Sequence, residues 1–199
     1  AGPFCYYLSV AIFPTYVKIN SRKGALVLRI IAGELKGRKL DMPADKLIRP
    51  TSGKVKEALF SMVGPTLNGA VVIDLFSGTG SLGLEAISRG AKKVYFGEMS
   101  KAGVRLTSKN ISNCKVEDRC VLIQGDWEYV LNQIHEPADL IFIDPPYKAG
   151  IIESCLEKIW QRKLLAADGI IAAEHDVRQE LPETVGGFSI WKVKKYGDT

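Results

Sequence analysis

The sequence predicts an α/β fold in which a mostly parallel sheet is covered by helices on both faces. Short, continuous apolar runs alternate with amphipathic runs from residue 67 onward, and this alternation is typical of parallel strands joined by helical crossovers. A glycine-rich turn, "SGTGSLG", follows the first of these apolar runs, as expected where a strand leads into a helix. The chain has 199 residues, 46% of them hydrophobic, which is enough for one ordinary domain with a sizeable core.

The elements can be assigned in chain order. Residues 28–33 ("LRIIAG") predict a short strand, and residues 33–43 predict a hairpin or loop. Residues 49–64 contain a predicted helix, because apolar residues recur every three or four positions and Gly64 can end it. The remaining strands are predicted at residues 70–76, 92–98, 120–126, 138–144, 169–175 and 188–197. The remaining helices are predicted at residues 81–90, 100–111, 127–134 and 151–160.

Basic residues are concentrated near the start of the chain. Residues 18–56 contain 11 Lys and Arg and three acidic residues, whereas residues 57–199 contain 16 basic and 19 acidic residues. Two interpretations stay open: a solvated arm, or a segment that binds phosphate groups, since clustered basic charge is typical of nucleic-acid binding. Residues 1–27 form an extension that these patterns do not explain. Its apolar run is too short to span a bilayer, and its positive charge follows that run, unlike the charge of a signal peptide.

The cysteine and histidine content predicts no metal site. The cysteines show no CxxC spacing and do not cluster with the histidines: Cys5, Cys114, Cys120, Cys155, His135 and His175. We interpret the cysteines as reduced thiols, which predicts a cytoplasmic protein. We expect no membrane partner.

The glycine-rich turn lies where a parallel sheet binds ligands, at the carboxyl end of a strand. Gly78, Gly80 and Gly83 form a GxGxxG pattern between the strand at 70–76 and the next helix. Glu98 ends the following strand twenty residues after Gly78, which by itself matches a dinucleotide-binding fingerprint. No Lys-Ser or Lys-Thr pair follows the glycines, which argues against a phosphate-binding loop of the NTPase type.

Asp74, just ahead of the glycine loop, argues against a dinucleotide because its carboxylate would repel a pyrophosphate. S-adenosylmethionine has an ammonium group and no phosphate, so the same carboxylate would attract it. Glu98 can accept hydrogen bonds from two ribose hydroxyls, and Asp126 from the adenine amino group. Alternatively, Asp126 caps the following helix. The predicted cofactor-binding residues are Asp74, Phe76, Gly78, Gly80, Glu98, Asp126 and Trp127.

The strand at 138–144 ends in "DPPY", and Pro145 and Pro146 cannot extend it. We predict that this segment binds a planar exocyclic amine, whose lone pair is delocalised into a nucleobase. The Asp144 carboxylate and the Pro145 carbonyl can accept hydrogen bonds from its N–H groups, and Tyr147 offers a ring for base stacking. Asp144, Pro145 and Tyr147 are therefore the predicted catalytic residues. The alternative is a strand-ending turn with a buried tyrosine.

Together these motifs resemble the RsmD family, bacterial methyltransferases that modify N2 of a guanine in small-subunit (16S) ribosomal RNA. The matching text runs from "RIIAG" at Arg29 through "KGRKL", "RPT" with "KEALF", "DLFSGTGSLGLEAISRGA", "GDW" and "DPPY" to "KKYGDT". The resemblance implies a Rossmann-like class I S-adenosylmethionine-dependent methyltransferase with a seven-stranded, mostly parallel sheet, helices on both faces and a small N-terminal extension. It further implies that the last strand is antiparallel and that the basic segment faces RNA.

We accordingly divide the chain into an unexplained extension (1–27), a basic RNA-facing element (28–66) and a methyltransferase domain (67–199). The predicted RNA contacts are Arg38, Lys39, Arg49 and Thr51. Arg49 could instead pair with a carboxylate in the core. The expected partner is 16S rRNA within a small-subunit particle, and the chain is expected to act as a monomer.

Two other functional classes stay open. One is another amino-methyltransferase, acting on N6 of a DNA adenine or on a protein glutamine. It would need a separate target-recognition region, for which 199 residues leave little room. The other is a catalytically silent RNA-binding assembly protein. That class would be favoured by a damaged DPPY motif or glycine loop, and both are intact.

Overall fold

The computed structural model describes residues 8–14, 28–43, 53–64, 67–145, 151–175 and 182–193. The strands in these ranges are β1 (Leu8–Pro14), β2 (Val71–Asp74), β3 (Lys93–Glu98), β4 (Cys120–Gln124), β5 (Ala138–Ile143), β6 (Leu165–His175), β7 (Thr184–Val185) and β8 (Phe188–Val193). The helices are α1 (Gly53–Val63), α2 (Ser81–Ser88), α3 (Lys101–Cys114), α4 (Trp127–Gln133) and α5 (Ile151–Gln161). Every helix and strand predicted after residue 67 is present, so the α/β prediction is confirmed.

One sheet contains the described strands in the order β4-β3-β2-β5-β6-β1-β8-β7. The strands from β4 to β6 are all parallel and are joined by helical crossovers, which is the Rossmann-like arrangement. The strand order reverses between β2 and β5. In open α/β sheets, ligands bind in the crevice at the carboxyl ends of the strands at such a reversal.

The prediction of seven strands with an antiparallel last strand is wrong for the described sheet, which has eight. β1, from the unexplained extension, lies between β6 and β8 and pairs parallel with both. Because β1 is parallel to both β6 and β8, β8 runs in the same direction as the other long strands. Within the described residues, β8 has one antiparallel partner, the two-residue β7, with which it forms a hairpin.

Both faces of the sheet are buried, as continuous apolar strands predict. Alternate residues of a strand point to opposite faces. Val72 packs in a core with residues of α1, α2 and α3, whereas Val71 and Ile73 pack in a core with residues of α4 and α5. Among the helices of the described ranges, none is long and apolar enough to cross a bilayer.

Residues 28–43 form a small hairpin that packs on the sheet domain but does not join the sheet. The only bridge in it joins Arg29 and Lys39, so the strand predicted at 28–33 is wrong. Hydrogen bonds from Ile30 N to Arg38 O (3.0 Å) and from Leu40 N to Leu28 O (2.9 Å) close the hairpin. Its apolar side chains are buried in the core that contains α2 and α3: Leu28, Ile30, Leu35 and Leu40.

Glu85 of α2 explains why this segment is not a strand of the sheet. The side chain is fully buried. Its Oε2 accepts a hydrogen bond from Ile31 N at 2.8 Å, and its Oε1 accepts one from Ala32 N at 3.0 Å. Two backbone donors that a sheet neighbour would have bound are therefore bound by one carboxylate. The hairpin is attached to α2 instead of to a strand edge.

Two cations complete the bonding of Glu85. Lys56 Nζ of α1 lies 3.2 Å from Oε2 and donates to the Arg29 carbonyl at 2.8 Å. Arg89 Nε donates to Oε1 at 3.0 Å. Burial lowers the pKa of Lys56, and the neighbouring Glu85 carboxylate opposes that shift. One buried acid thus joins α1, α2 and the hairpin.

We expect Glu85→Ala to lower the free energy of unfolding by about 3–5 kcal/mol, because it leaves a buried lysine without its counter-ion and two backbone N–H groups without acceptors. Urea unfolding followed by circular dichroism measures the change. Glu57→Ala, on the exposed side of α1, is the matched control and should change stability by less than about 0.5 kcal/mol. Equal stability of the two variants would contradict the role given to Glu85.

Candidate active site

The glycine loop occupies the carboxyl end of β2, next to the point where the strand order reverses. Gly78 and Gly80 adopt left-handed backbone conformations, with φ of +54° and +75°, which side chains disfavour. Gly80 N donates to Ser77 O at 2.7 Å and closes a tight turn. A Cβ at Gly83 would lie 2.2 Å from the Phe96 ring, so this third glycine lets α2 approach β3 closely.

Asp74 ends β2 directly beneath this loop. The residue is 2% exposed, and its Oδ2 accepts a hydrogen bond from Gly83 N at 3.0 Å. Burial raises the pKa of Asp74 to about 7; the Gly83 hydrogen bond opposes the rise, and the Glu98 charge adds to it. Sequence reasoning missed the bond to the first turn of α2. A carboxyl that is buried without a cation and ionises near neutrality favours a positively charged ligand.

Glu98 ends β3 and holds the glycine loop from the other side. Its Oε2 accepts a hydrogen bond from Gly78 N at 3.1 Å, and its Oε1 accepts one from Ser100 N at 2.7 Å. A Cβ at Gly103 would lie 2.4 Å from the Glu98 carboxyl carbon, so the first turn of α3 must carry a glycine there. A carboxylate has about four acceptor positions, so Glu98 can still accept from two hydroxyl groups.

Asp126 is the N-cap of α4, and its Oδ1 accepts a hydrogen bond from Tyr129 N at 2.7 Å. The capping role that the sequence left open is therefore present. Gly125 N donates to Glu98 O at 3.0 Å, which places the ends of β3 and β4 side by side. Trp127 is partly buried against the core that contains α4 and α5, as is Phe76 after β2.

Two polar residues of α3 that sequence reasoning missed bind the glycine loop. Thr107 Oγ1 donates to Gly78 O at 3.0 Å, and Asn110 Nδ2 donates to Thr79 O at 2.9 Å. Both residues are fully buried. Their positions in the sequence could have indicated this, because they lie on the face of α3 that also carries the buried Ile111 and Cys114. Polar side chains on a core-facing helix stripe need partners.

Asp144 and Pro145 follow β5, the strand that pairs with β2. Phe142 is the register partner of Asp74, so Asp144 lies two residues beyond the level of Asp74 on the neighbouring strand. Both Asp144 and Pro145 are half-buried. The structure therefore brings Asp144 to the same end of the sheet as the buried acid. The predicted site residues Tyr147, Arg49 and Thr51 lie outside the described residues.

The structure does not bring Arg38 to this end of the sheet. Its Nη1 donates to Asn113 O at 2.7 Å, in the last turn of α3. Gly103, next to Glu98, is ten residues earlier in that helix, a distance of about 15 Å along the axis. Arg38 and Lys39 are both exposed. Arg38 nevertheless lies about one helical turn from Asn110, which binds the glycine loop through Thr79 O.

No group of His, Cys, Asp and Glu suited to a metal ion occurs among the described residues. Cys114, Cys120 and Cys155 are free thiols. Burial raises the pKa of Cys120 to about 12 and also raises the pKa of Cys155, so neither thiol is reactive near neutral pH.

The two acids can be tested against S-adenosylmethionine by their chemistry. Asp74 is buried, and no cation of the described residues pairs with it, which suits an ammonium group. Glu98 retains acceptor positions, which suit vicinal hydroxyls. The left-handed Gly78 and Gly80 carry no side chains in the loop between these two acids, so a ligand can approach the backbone at these positions. The residues present therefore fit this cofactor.

We expect the affinity for S-adenosylmethionine to rise roughly tenfold between pH 5.5 and pH 7. Asp74 becomes ionised over this range because its pKa is raised to about 7, while an α-amino group keeps its charge. Calorimetry at several pH values, with proton release measured in buffers of different ionisation enthalpy, checks this. Asp74→Asn should bind more weakly and without the pH dependence. The same pH profile in that variant would contradict the assignment.

Comparison with known proteins agrees with this architecture. The family model described as Conserved hypothetical protein 95 matches residues 28–199. YlbH of Bacillus subtilis is 37% identical over 86% of this chain and 95% of its own. Ribosomal RNA small subunit methyltransferase D of Escherichia coli is 32% identical over 91% of each chain. The solved structure of yhhF from Escherichia coli is 34% identical, with a TM-score of 0.72 over 80% of this chain and 86% of that one. The chain belongs to the family described as Conserved hypothetical protein 95, the RsmD family of methyltransferases.

Proposed function

We propose that the chain transfers a methyl group from S-adenosylmethionine to the exocyclic N2 amine of a guanine in 16S ribosomal RNA. The observation that carries the proposal is the position of Asp144. This residue directly follows β5, and β5 pairs with β2, the strand that ends in the buried Asp74. Neighbouring strands are about 5 Å apart. The printed name of the Escherichia coli relative, a ribosomal RNA small subunit methyltransferase, supports the choice of substrate.

S-adenosylmethionine, when bound, supplies a methyl group on a positively charged sulfonium. Asp74 would attract its ammonium group, and Glu98 would accept hydrogen bonds from its ribose hydroxyls. Asp126 can serve the adenine amino group with the oxygen that does not bind Tyr129 N, since the cap uses Oδ1. Phe76 and Trp127 would contribute apolar contact, and Gly78 and Gly80 let the backbone approach closely.

Asp144 has the role of making the amine nucleophilic. The lone pair of an exocyclic amine is delocalised into the guanine ring, so the amine is a poor nucleophile. Hydrogen bonds from its two N–H groups to the Asp144 carboxylate and the Pro145 carbonyl would draw that lone pair towards the methyl group. Fixed positioning of this kind lowers a barrier by as much as roughly 7–11 kcal/mol in favourable cases. The amine loses its proton after transfer, so Asp144 need not act as a strong base.

The substrate in this proposal is an RNA that extends beyond the target nucleotide. Arg38 and Lys39 are exposed, and Arg38 binds Asn113 O, about one helical turn beyond the Asn110 side chain that binds the glycine loop, so an RNA that extends beyond the target base could reach both surfaces. Arg49 and Thr51 would contact RNA nearer the reacting base. We propose rRNA in a small-subunit particle as the physiological substrate and a monomer as the active form.

We expect Asp144→Ala to lose methyl transfer while still binding S-adenosylmethionine and RNA. Asp144→Asn should retain partial activity because its amide oxygen is a weaker acceptor of the same shape. Labelled methyl transfer to rRNA from cells that lack the enzyme, followed by nucleoside analysis, measures both variants. The expected product is N2-methylguanosine. A methylated adenine as the product would show that guanine is not the target base. Full activity of Asp144→Ala would contradict the role given to the Asp144 carboxylate.

Tyr147 should act through stacking of the target base. We expect Tyr147→Ala to lower the rate by about fivefold or more, since a base–aromatic stack is worth about 1–3 kcal/mol. Tyr147→Phe keeps the ring and should keep most of the rate. The same labelled-methyl assay compares them. Equal losses in both variants would assign the function to the hydroxyl group and not to the ring.

Reversal of charge in the double variant Arg38→Glu with Lys39→Glu should weaken rRNA binding and flatten its salt dependence, because fewer counter-ions are released. Affinity for S-adenosylmethionine should hardly change. The matched control is Lys92→Glu with Lys163→Glu, since both lysines are exposed and precede β3 and β6 at the opposite end of these strands from the glycine loop. Filter binding at several salt concentrations distinguishes them. Equal salt slopes for both double variants would show that the hairpin cations do not contact RNA.

A further inference from the structure

Asn110 of α3 contacts two parts of the molecule that are expected to bind different ligands. The side chain is fully buried. Its Nδ2 donates to Thr79 O in the glycine loop at 2.9 Å and to Asp41 O at the end of the hairpin at 3.1 Å. Its Oδ1 accepts a hydrogen bond from Asp41 N at 2.7 Å. One amide therefore joins the loop to the hairpin.

The attachment of Asp41 depends on this amide. Both backbone polar groups of Asp41 bind Asn110, much as they would bind a neighbouring strand. The Asp41 carboxylate also lies 2.7 Å from Lys109 Nζ, but that pair is largely exposed, and exposed ion pairs contribute little. The chain continues from Asp41 into the basic stretch that carries Arg49 and Thr51. Asn110 thus fixes the point from which that stretch departs.

Thr107 provides a contrast on the same face of the helix. Its Oγ1 donates to Gly78 O at 3.0 Å and lies 3.4 Å from Ser77 Oγ. Its described hydrogen bonds reach the glycine loop and not the hairpin. Thr107 and Asn110 together turn the carbonyl groups of two successive loop residues towards α3, which fixes the orientation of those peptides.

We propose that Asn110 is a positioning residue that couples the glycine loop to the N-terminal hairpin, so that one buried amide sets the geometry of both the cofactor and the RNA surfaces. An amide suits this role because it can donate twice and accept at once. Alanine would remove the hydrogen-bond partner of the buried Thr79 carbonyl and of the partly buried backbone groups of Asp41, and an unpaired buried group is costly. The RNA half of this proposal rests on the proposed function, whereas the cofactor half does not.

Three variants of α3 separate this role from simple stabilisation. Asn110→Ala should lower the affinity for S-adenosylmethionine and, separately, for transcribed 16S rRNA, each by about tenfold or more. Thr107→Val should lower the cofactor affinity alone. Asn113→Ala, an exposed asparagine of the same helix, should change neither. Calorimetry and filter binding measure the two affinities. The proposal would be overturned if Asn110→Ala weakened the binding of only one of the two ligands. It would also be overturned if Thr107→Val weakened the binding of both.

Hydrogen exchange of the wild-type chain tests the link even if Asn110→Ala does not fold. Addition of S-adenosylmethionine should slow exchange of the Asp41 amide at least fivefold, because the ordered loop holds Asn110 in place. The Ile30 amide, which donates to Arg38 O within the hairpin, should not change. Unaltered exchange at Asp41 would overturn the proposal. If the wild type bound no RNA, the proposed substrate would be wrong. The affinities for S-adenosylmethionine and the exchange rate of the Asp41 amide would still test whether the glycine loop is coupled to the hairpin.

Discussion

Two buried carboxylates fix the position of helix α2, and the rest of the site depends on where that helix lies. Asp74 binds the Gly83 amide in its first turn, and Glu85, in the next turn, binds the amides of Ile31 and Ala32. The first contact attaches the helix to the sheet beneath the glycine loop, and the second attaches the hairpin to the helix. Both acids accept hydrogen bonds from backbone N–H groups at buried positions, where an unpaired polar group would be costly.

These two acids differ in one respect that bears on function. Glu85 is accompanied by Lys56 and Arg89, so its charge is compensated within the fold. Asp74 has a single backbone donor and the nearby charge of Glu98, and burial raises its pKa to about 7. Near neutral pH this carboxyl can therefore carry a proton. A ligand with an ammonium group would replace that proton, which gives the site a preference for a cationic cofactor.

The parts of the fold that could be predicted from the sequence are those that depend on local pattern. The strands and helices after residue 67, the glycine loop and the acids at the strand ends all follow from apolar periodicity and from residues beside them in the chain. Pairing over long range could not be predicted in this way. β1 joins residues 8–14 to strands more than 150 positions later, and no local pattern marks that partnership.

Tertiary contacts account for the other failures. Residues 28–33 have a strand-like composition, but Glu85, more than fifty positions later, takes two of their backbone donors. The RNA contact of Arg38, inferred from its charge, stays a prediction, whereas its attachment to the end of α3 became visible only in three dimensions. Thr107 and Asn110 could have been found, because each is a polar residue on the apolar stripe of a predicted helix.

The central claim is that this chain methylates a guanine of small-subunit ribosomal RNA. The most direct measurement is complementation of an Escherichia coli strain that lacks ribosomal RNA small subunit methyltransferase D, the protein to which this chain is 32% identical. Mass spectrometry of 16S rRNA from that strain, with and without this chain, identifies the modified nucleotide. The account predicts that one N2-methylguanosine, absent from the strain, reappears when the chain is expressed. An rRNA that gains no methylated guanine, or gains a methylated adenine instead, would contradict it.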